Sequence, residues 1–184
     1  MRAKEIIERM THGTHLTFVE SIVVPEVGAA FNDWVKNAPK GDYVFIGGNV
    51  VGYYSKPRAT MDVDVLFKGN NTLTEVAGFK LIRPHAFQHN NTHVEVEVLS
   101  AGFLGIPTEL VQKVFDTAVE INGVHLPSVE GLVALKLMRG SMRDLGDIEA
   151  IIEKHNINLI NWPVPQDKLQ RAEQLLNVKL TEPS

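Results

Sequence analysis

The chain has 184 residues, a formal net charge of −4 and no cysteine. Zero cysteines exclude disulfides and thiolate zinc sites and fit a cytoplasmic protein, while the slightly acidic balance gives no broad basic footprint for RNA. Hydrophobic residues at 44% and charged residues at 22% are ordinary for a soluble chain with a real core, and neither a transmembrane run nor a signal-peptide core is visible, so no membrane partner is expected.

In chain order, residues 3–10 and 18–37 read as helices, with Pro25 as a break or entry in the second. An apolar strand over 44–46 leads into a Gly47-Gly48 turn and a short amphipathic segment. A second strand over 61–67 carries Asp62 and Asp64. Residues two apart share a strand face, so these two carboxylates point the same way and repel. A divalent cation would offset that repulsion, and hard oxygen ligands suit Mg²⁺. A glycine turn lets backbone approach a phosphate closely.

Shorter strands are predicted over 78–82 and 86–88, and Asn90-Asn91 suits a hairpin turn into a strand over 93–99. In that strand Glu95 and Glu97 share one face and Val94, Val96 and Val98 the other. Read alone, this is an amphipathic strand with a solvated glutamate face. His85, His89 and His93 recur every four residues, but Pro84 and Asn90-Asn91 argue against a helix and hence against a zinc row. His89 and His93 are instead expected to flank the acidic strand and touch base or acceptor. His12 and His15 lie in a polar connector with no readable role.

A helix over 107–115 and a strand pair around Asn122-Gly123 follow. Ser128 can cap a helix carrying Lys136 and Arg139 on one face, and Ser141 to Asp144 fits a capping pattern for the next. The Trp162-Pro163-Val164-Pro165 connector precedes a last helix over 166–177.

The ordered set Gly47, Gly48, Arg58, Thr60, Asp62 and Asp64 resembles the small members of the nucleotidyltransferase superfamily that includes DNA polymerase beta. Their pattern is a GG or GS turn, a short helix, then R-x-T-x-D-x-D. Asn49 stands where Ser or Thr is commoner, and its amide can still donate. A second resemblance, to the C-terminal helical signature of these proteins, is carried by Pro127, Ser128, Glu130, Leu132, Leu135, Lys136, Arg143, Asp144 and Asp147. Arg143 stands where Lys is commoner.

The resemblance implies an α/β (α+β) fold, a mixed sheet flanked by helices with a C-terminal helical lobe, divided as 1–126 and 127–184. It implies an enzyme moving a nucleoside monophosphate from an NTP to an acceptor, with two Mg²⁺ ions held by Asp62, Asp64 and a third acid. Glu97 is preferred for that acid because an apolar pair follows it, with Glu95 as the alternative. Gly47, Gly48, Asn49, Arg58 and Thr60, with Lys136 and Asp144 from the toxin-like branch, form the expected nucleotide-binding set. The acceptor is RNA or tRNA, a protein, or an antibiotic-like small molecule, and an antitoxin protein is a further expected partner. The alternative class is a non-catalytic nucleotide-binding or antitoxin-binding module on the same fold.

Overall fold

The structure, a computed structural model, describes residues 17–39, 43–69 and 73–181. The helix expected over 3–10, with His12 and His15, lies outside the described residues. Pro25 occupies the first position of helix α1 (Pro25–Asn37), where a missing N–H costs no helical hydrogen bond. It is an entry rather than a break: the residues before it form a separate 3₁₀ turn, Val19–Ser21.

Five strands make one sheet: β1 (Tyr43–Ile46), β2 (Asp62–Phe67), β3 (Phe79–Arg83), β4 (Ala86–His89) and β5 (Glu95–Leu99). Their order is β1-β2-β5-β4-β3. Only β2 and β5 pair in parallel; the other neighbours are antiparallel. A parallel pair needs a crossover connection, and here the β3–β4 hairpin is built into it. Helix α2 (Gly47–Tyr54) starts directly at the end of β1.

Alternation along the strands separates two faces. Val63, Val65, Val96 and Val98 are fully buried, on the face opposite the acids of β2 and β5. Trp34 of α1 packs edge-on against Phe79 and Phe87, with centroids 5.2 and 5.6 Å away. Phe31 meets Phe45 at 4.3 Å.

After β5 come a one-turn helix α3 (Ala101–Leu104) and α4 (Thr108–Asp116). The hairpin β6 (Val119–Ile121) and β7 (Val124–Leu126) turns at Asn122 and Gly123, both at positive φ, as a two-residue primed turn requires. Helices α5 (Val129–Arg139), α6 (Met142–Ile152) and α7 (Gln166–Leu176) form the C-terminal lobe. Ser128 caps α5 by accepting from the Gly131 N–H, and Gly140 ends it in the left-handed region. Ser141 and Asp144 make a reciprocal capping box on α6. Tyr54 on α2 donates to the Pro127 carbonyl at 2.7 Å, and His155 donates to the Tyr54 carbonyl at 2.7 Å. The buried apolar side chains of lobe and sheet form one continuous cluster. Among the described residues no helix is long and apolar enough to cross a membrane.

Trp34 is fully buried and its indole N–H has no hydrogen-bond partner among the described residues. Its contribution is therefore packing. Trp34→Ala should destabilise by about 3–5 kcal/mol, and Trp34→Phe, which keeps an aromatic ring and removes the unpaired N–H, by much less. Urea denaturation of both variants checks this; equal losses would contradict a packing role.

Candidate active site

The site begins where β1 runs into α2. Gly47 has φ +78°, and a Cβ there would sit 1.8 Å from Asp64 Oδ2. Only glycine satisfies both constraints. A Cβ on Gly48 would lie 2.4 Å from Thr60 Cγ2 and 2.9 Å from Arg58 Nη2. The glycine pair lets the start of α2 press against β2.

Two buried polar side chains brace that contact. Asn49 Nδ2 donates to the Asp62 carbonyl at 2.9 Å, and the Thr60 hydroxyl donates to Asn49 Oδ1 at 2.8 Å. The structure thus places both behind the turn, bonded to each other and to β2. Arg58 leaves the same loop to pair with Asp147 of α6.

The parallel register puts Asp62 beside Glu95 and Asp64 beside Glu97. Registered residues face the same way, so four carboxylates share one face of two strands. Arg83 at the end of β3 pairs with Glu95 and, through Nη2, contacts Glu97 Oε1 at 2.7 Å. The β3–β4 pairing shifts register between Leu81 and Arg83, and irregularities of this kind re-aim a side chain. Burial pushes the Asp64 carboxyl up to about 7, with the Asp62 and Glu97 charges adding to it and Arg139 and Lys136 opposing.

The facing wall comes from α5 and α6. Lys136 is 7% exposed; its Nζ lies 3.3 Å from Asp144 Oδ1 and 2.7 Å from Asp147 Oδ2, the latter an ionic contact outside hydrogen-bond geometry. Asp144 Oδ2 accepts from the Ser141 hydroxyl at 2.6 Å, the Ser141 N–H at 3.2 Å and Arg139 Nε at 3.2 Å. Burial alone would raise the Asp144 carboxyl; the Ser141 hydrogen bonds with the Lys136 and Arg139 charges bring it below its ordinary value. Between the walls lies a cleft of about 500 Å³, open mouth included. Gly47, Asp64, Lys136, Arg139 and Asp144 line it beside an apolar side of Leu99, Leu104, Ile106, Leu132 and Leu135.

The structure therefore gathers Gly47, Asp64, Lys136 and Asp144 in one cleft, with Asp62 and Glu97 next to Asp64 on the sheet. Gly48, Asn49, Thr60 and Arg58 support it from behind. Two residues gain partners that the sequence did not specify. Arg83 is aimed by a register shift that leaves no mark in the sequence pattern. Arg139 had a signal, one helical turn beyond Lys136, but no partner was legible.

Among the described residues no group of three or more His, Asp or Glu side chains is already gathered as a metal cluster. The geometry explains this, since Arg83 holds Glu97. The donors nonetheless fit a hard cation: oxygen ligands only, mutually repelling, one held near neutrality. His89 departs from expectation. It is 2% exposed, contacting Asp33 Oδ2 of α1 at 3.0 Å and Thr92 Oγ1 at 2.8 Å. It pins α1 to the sheet. His93, exposed at φ +60°, follows the 90–92 turn and leads into β5.

No family model matches the chain, and no curated protein matches it in sequence. Its structure is similar to the crystal structure of an antigenic nucleotidyltransferase-like protein from Paracoccidioides brasiliensis. The two share 20% identity at a TM-score of 0.50, covering 85% of this chain and 92% of that one. The fold is nucleotidyltransferase-like.

Gly47→Ala should destabilise the protein by about 1–3 kcal/mol or more, through positive φ and the clash with Asp64. Gly28→Ala is the control: its Cβ would meet nothing closer than 3.9 Å within α1, so it should be neutral or stabilising. Chemical denaturation separates the two, and equal effects would contradict the close approach.

The raised Asp64 carboxyl sets a pH dependence. Between its ordinary value of 3.8 and about 7, the native state holds a proton that the unfolded state has released. Stability from this group is therefore lost as pH rises through that window. Asp144, shifted the other way, loses its contribution only below its ordinary value and leaves the window clear. In chelator, the melting temperature of Asp64→Asn minus that of the native chain should grow from pH 5 to pH 8. A constant difference would contradict the shift.

Proposed function

We propose that this protein transfers a nucleoside monophosphate from an NTP to an acceptor hydroxyl. The observation that carries the reading is the row of carboxylates on one face of β2 and β5, with Asp64 lining the cleft beneath a glycine turn, on a nucleotidyltransferase-like fold. The proposed metal ligands are Asp62, Asp64 and Glu97, holding two Mg²⁺ ions with the bound NTP. Bound magnesium supplies charge neutralisation at the phosphate oxygens and at the attacking oxygen.

The chain's own residues do the rest. Gly47 and Gly48 let the turn press against β2, which sets the turn backbone beside the cleft that would take the phosphates. Asp144, with Lys136 beside it, forms the polar end of the nucleotide cleft. Asn49, Thr60 and Arg58 hold the turn in place. Glu97 takes the acceptor's proton as general base. The acceptor oxygen bonds to the α-phosphorus, and the bond from that phosphorus to the bridging oxygen breaks. Pyrophosphate departs with the electron pair.

The proposed acceptor is RNA or tRNA, or a protein, as in toxin-like members of the superfamily, with an antitoxin protein as a regulatory partner. An antibiotic-like small molecule is the second acceptor class.

Purified protein, Mg²⁺, each α-labelled NTP and cell extract test the reading together. Label should enter RNA, protein or a small molecule. Asp62→Asn and Asp64→Asn should abolish it, and Glu97→Gln should slow single-turnover transfer by about 10²-fold or more. Glu95→Gln should be milder, since Glu95 stands beside Asp62 rather than Asp64. A dead Glu95 variant beside an active Glu97 variant would move the base to Glu95. NTP binding without transfer to any acceptor would leave the non-catalytic module as the better description.

A further inference from the structure

Four cations surround the carboxylate row, and their existing partners differ. Arg58 is committed to Asp147, and Arg83 to both Glu95 and Glu97. Lys136 is buried between Asp144 and Asp147. Its ammonium already faces two carboxylates, so an incoming phosphate would have to compete with both. Arg139 is different. Its side chain is 62% exposed, and its Nε alone is bonded, to Asp144 Oδ2 at 3.2 Å. Among the described residues neither terminal nitrogen has a protein partner.

Asp144 does not offer that oxygen loosely. Its Oδ2 is fixed by the Ser141 hydroxyl and N–H, and its Oδ1 faces Lys136. A guanidinium tethered by Nε to a rigid carboxylate keeps a planar outer edge of N–H donors. That edge matches the spacing of two phosphate oxygens. Arg139 lines the same cleft as Gly47 and Asp64, so an anion held there faces both.

We propose that Arg139 grips the phosphate chain of the nucleotide, that Asp144 is its positioning residue, and that Lys136 is the buried strut joining α5 to α6. The inference rests on the nucleotidyl-transfer reading and assigns the phosphate contact within it. A solvated arginine bound only to its cap would leave phosphate affinity untouched when removed.

The probes are magnesium pyrophosphate and magnesium tripolyphosphate, titrated calorimetrically into the full chain, with melting temperature recorded for every variant. Arg139→Gln should weaken pyrophosphate binding about tenfold or more, the effect expected for losing charge-assisted hydrogen bonds, with little change in melting temperature. Arg139→Lys should recover part of it, keeping charge without the fork. Lys136→Met should lower the melting temperature sharply, because it strands two buried carboxylates, yet weaken pyrophosphate less than Arg139→Gln. Asp144→Asn should weaken binding in the native background and have no further effect on top of Arg139→Gln; a purely structural Asp144 would act equally in both.

Native binding retained in Arg139→Gln, with binding lost in Lys136→Met, would overturn the inference and leave the transfer reading intact. A native chain that binds neither NTP nor pyrophosphate would overturn both.

Discussion

Four acidic side chains on one face of a parallel strand pair are the constraint around which the cleft is built. The β2–β5 register places Asp62 and Asp64 beside Glu95 and Glu97, where unscreened like charges repel. Three responses are visible. Arg83 comes from the sheet edge to neutralise the glutamates. Arg139 and Lys136 come from the helical lobe to oppose the field at Asp64, and burial, with the Asp62 and Glu97 charges adding to it, still pushes that carboxyl up to about 7. A divalent cation would offset the same repulsion, since its ligands are carboxylate oxygens.

The backbone around this face has little freedom. Gly47 admits Asp64 only because it lacks a Cβ, and Asn49 with Thr60 ties the turn to β2. From the same loop, Arg58 begins a chain of ion pairs through Asp147, Lys136 and Asp144 to Arg139. A buried ionic chain of this kind adds little net stability over a well-packed apolar set. Its effect is positional. It fixes α5 and α6 against the turn, so the two walls of the cleft cannot move apart without exposing unpaired buried charge.

Much of this was legible because its signals are local. The Asn122-Gly123 hairpin, the Ser128 and Ser141 caps and the alternating acids of β2 and β5 each occupy a few consecutive residues. The nucleotidyltransferase-like fold was implied by the resemblance that Gly47, Gly48, Arg58, Thr60, Asp62 and Asp64 carry. What escaped depends on contacts distant in sequence. His89 looked like an active-site neighbour until α1 supplied Asp33. Asn49 and Thr60 are hydrogen-bonded to each other and to the Asp62 carbonyl, pairings that no local pattern announces. The register shift that turns Arg83 toward the acids, and the short helix α3 behind β5, leave no periodic trace. Residue type is written in the chain, and partner occupancy is not.

Partner occupancy also gives the site a direction. At the β3 end, Arg83 is already paired with two glutamates. At the α5 end, Arg139 retains free donors and stands beside the glycine turn and an apolar wall. The cleft's cationic and apolar lining lies at this second end. The formal charge of −4 does not oppose that arrangement. Steering within a cleft depends on the cations lining it rather than on the sum over the surface, and here the positive charges are drawn inward around the acids.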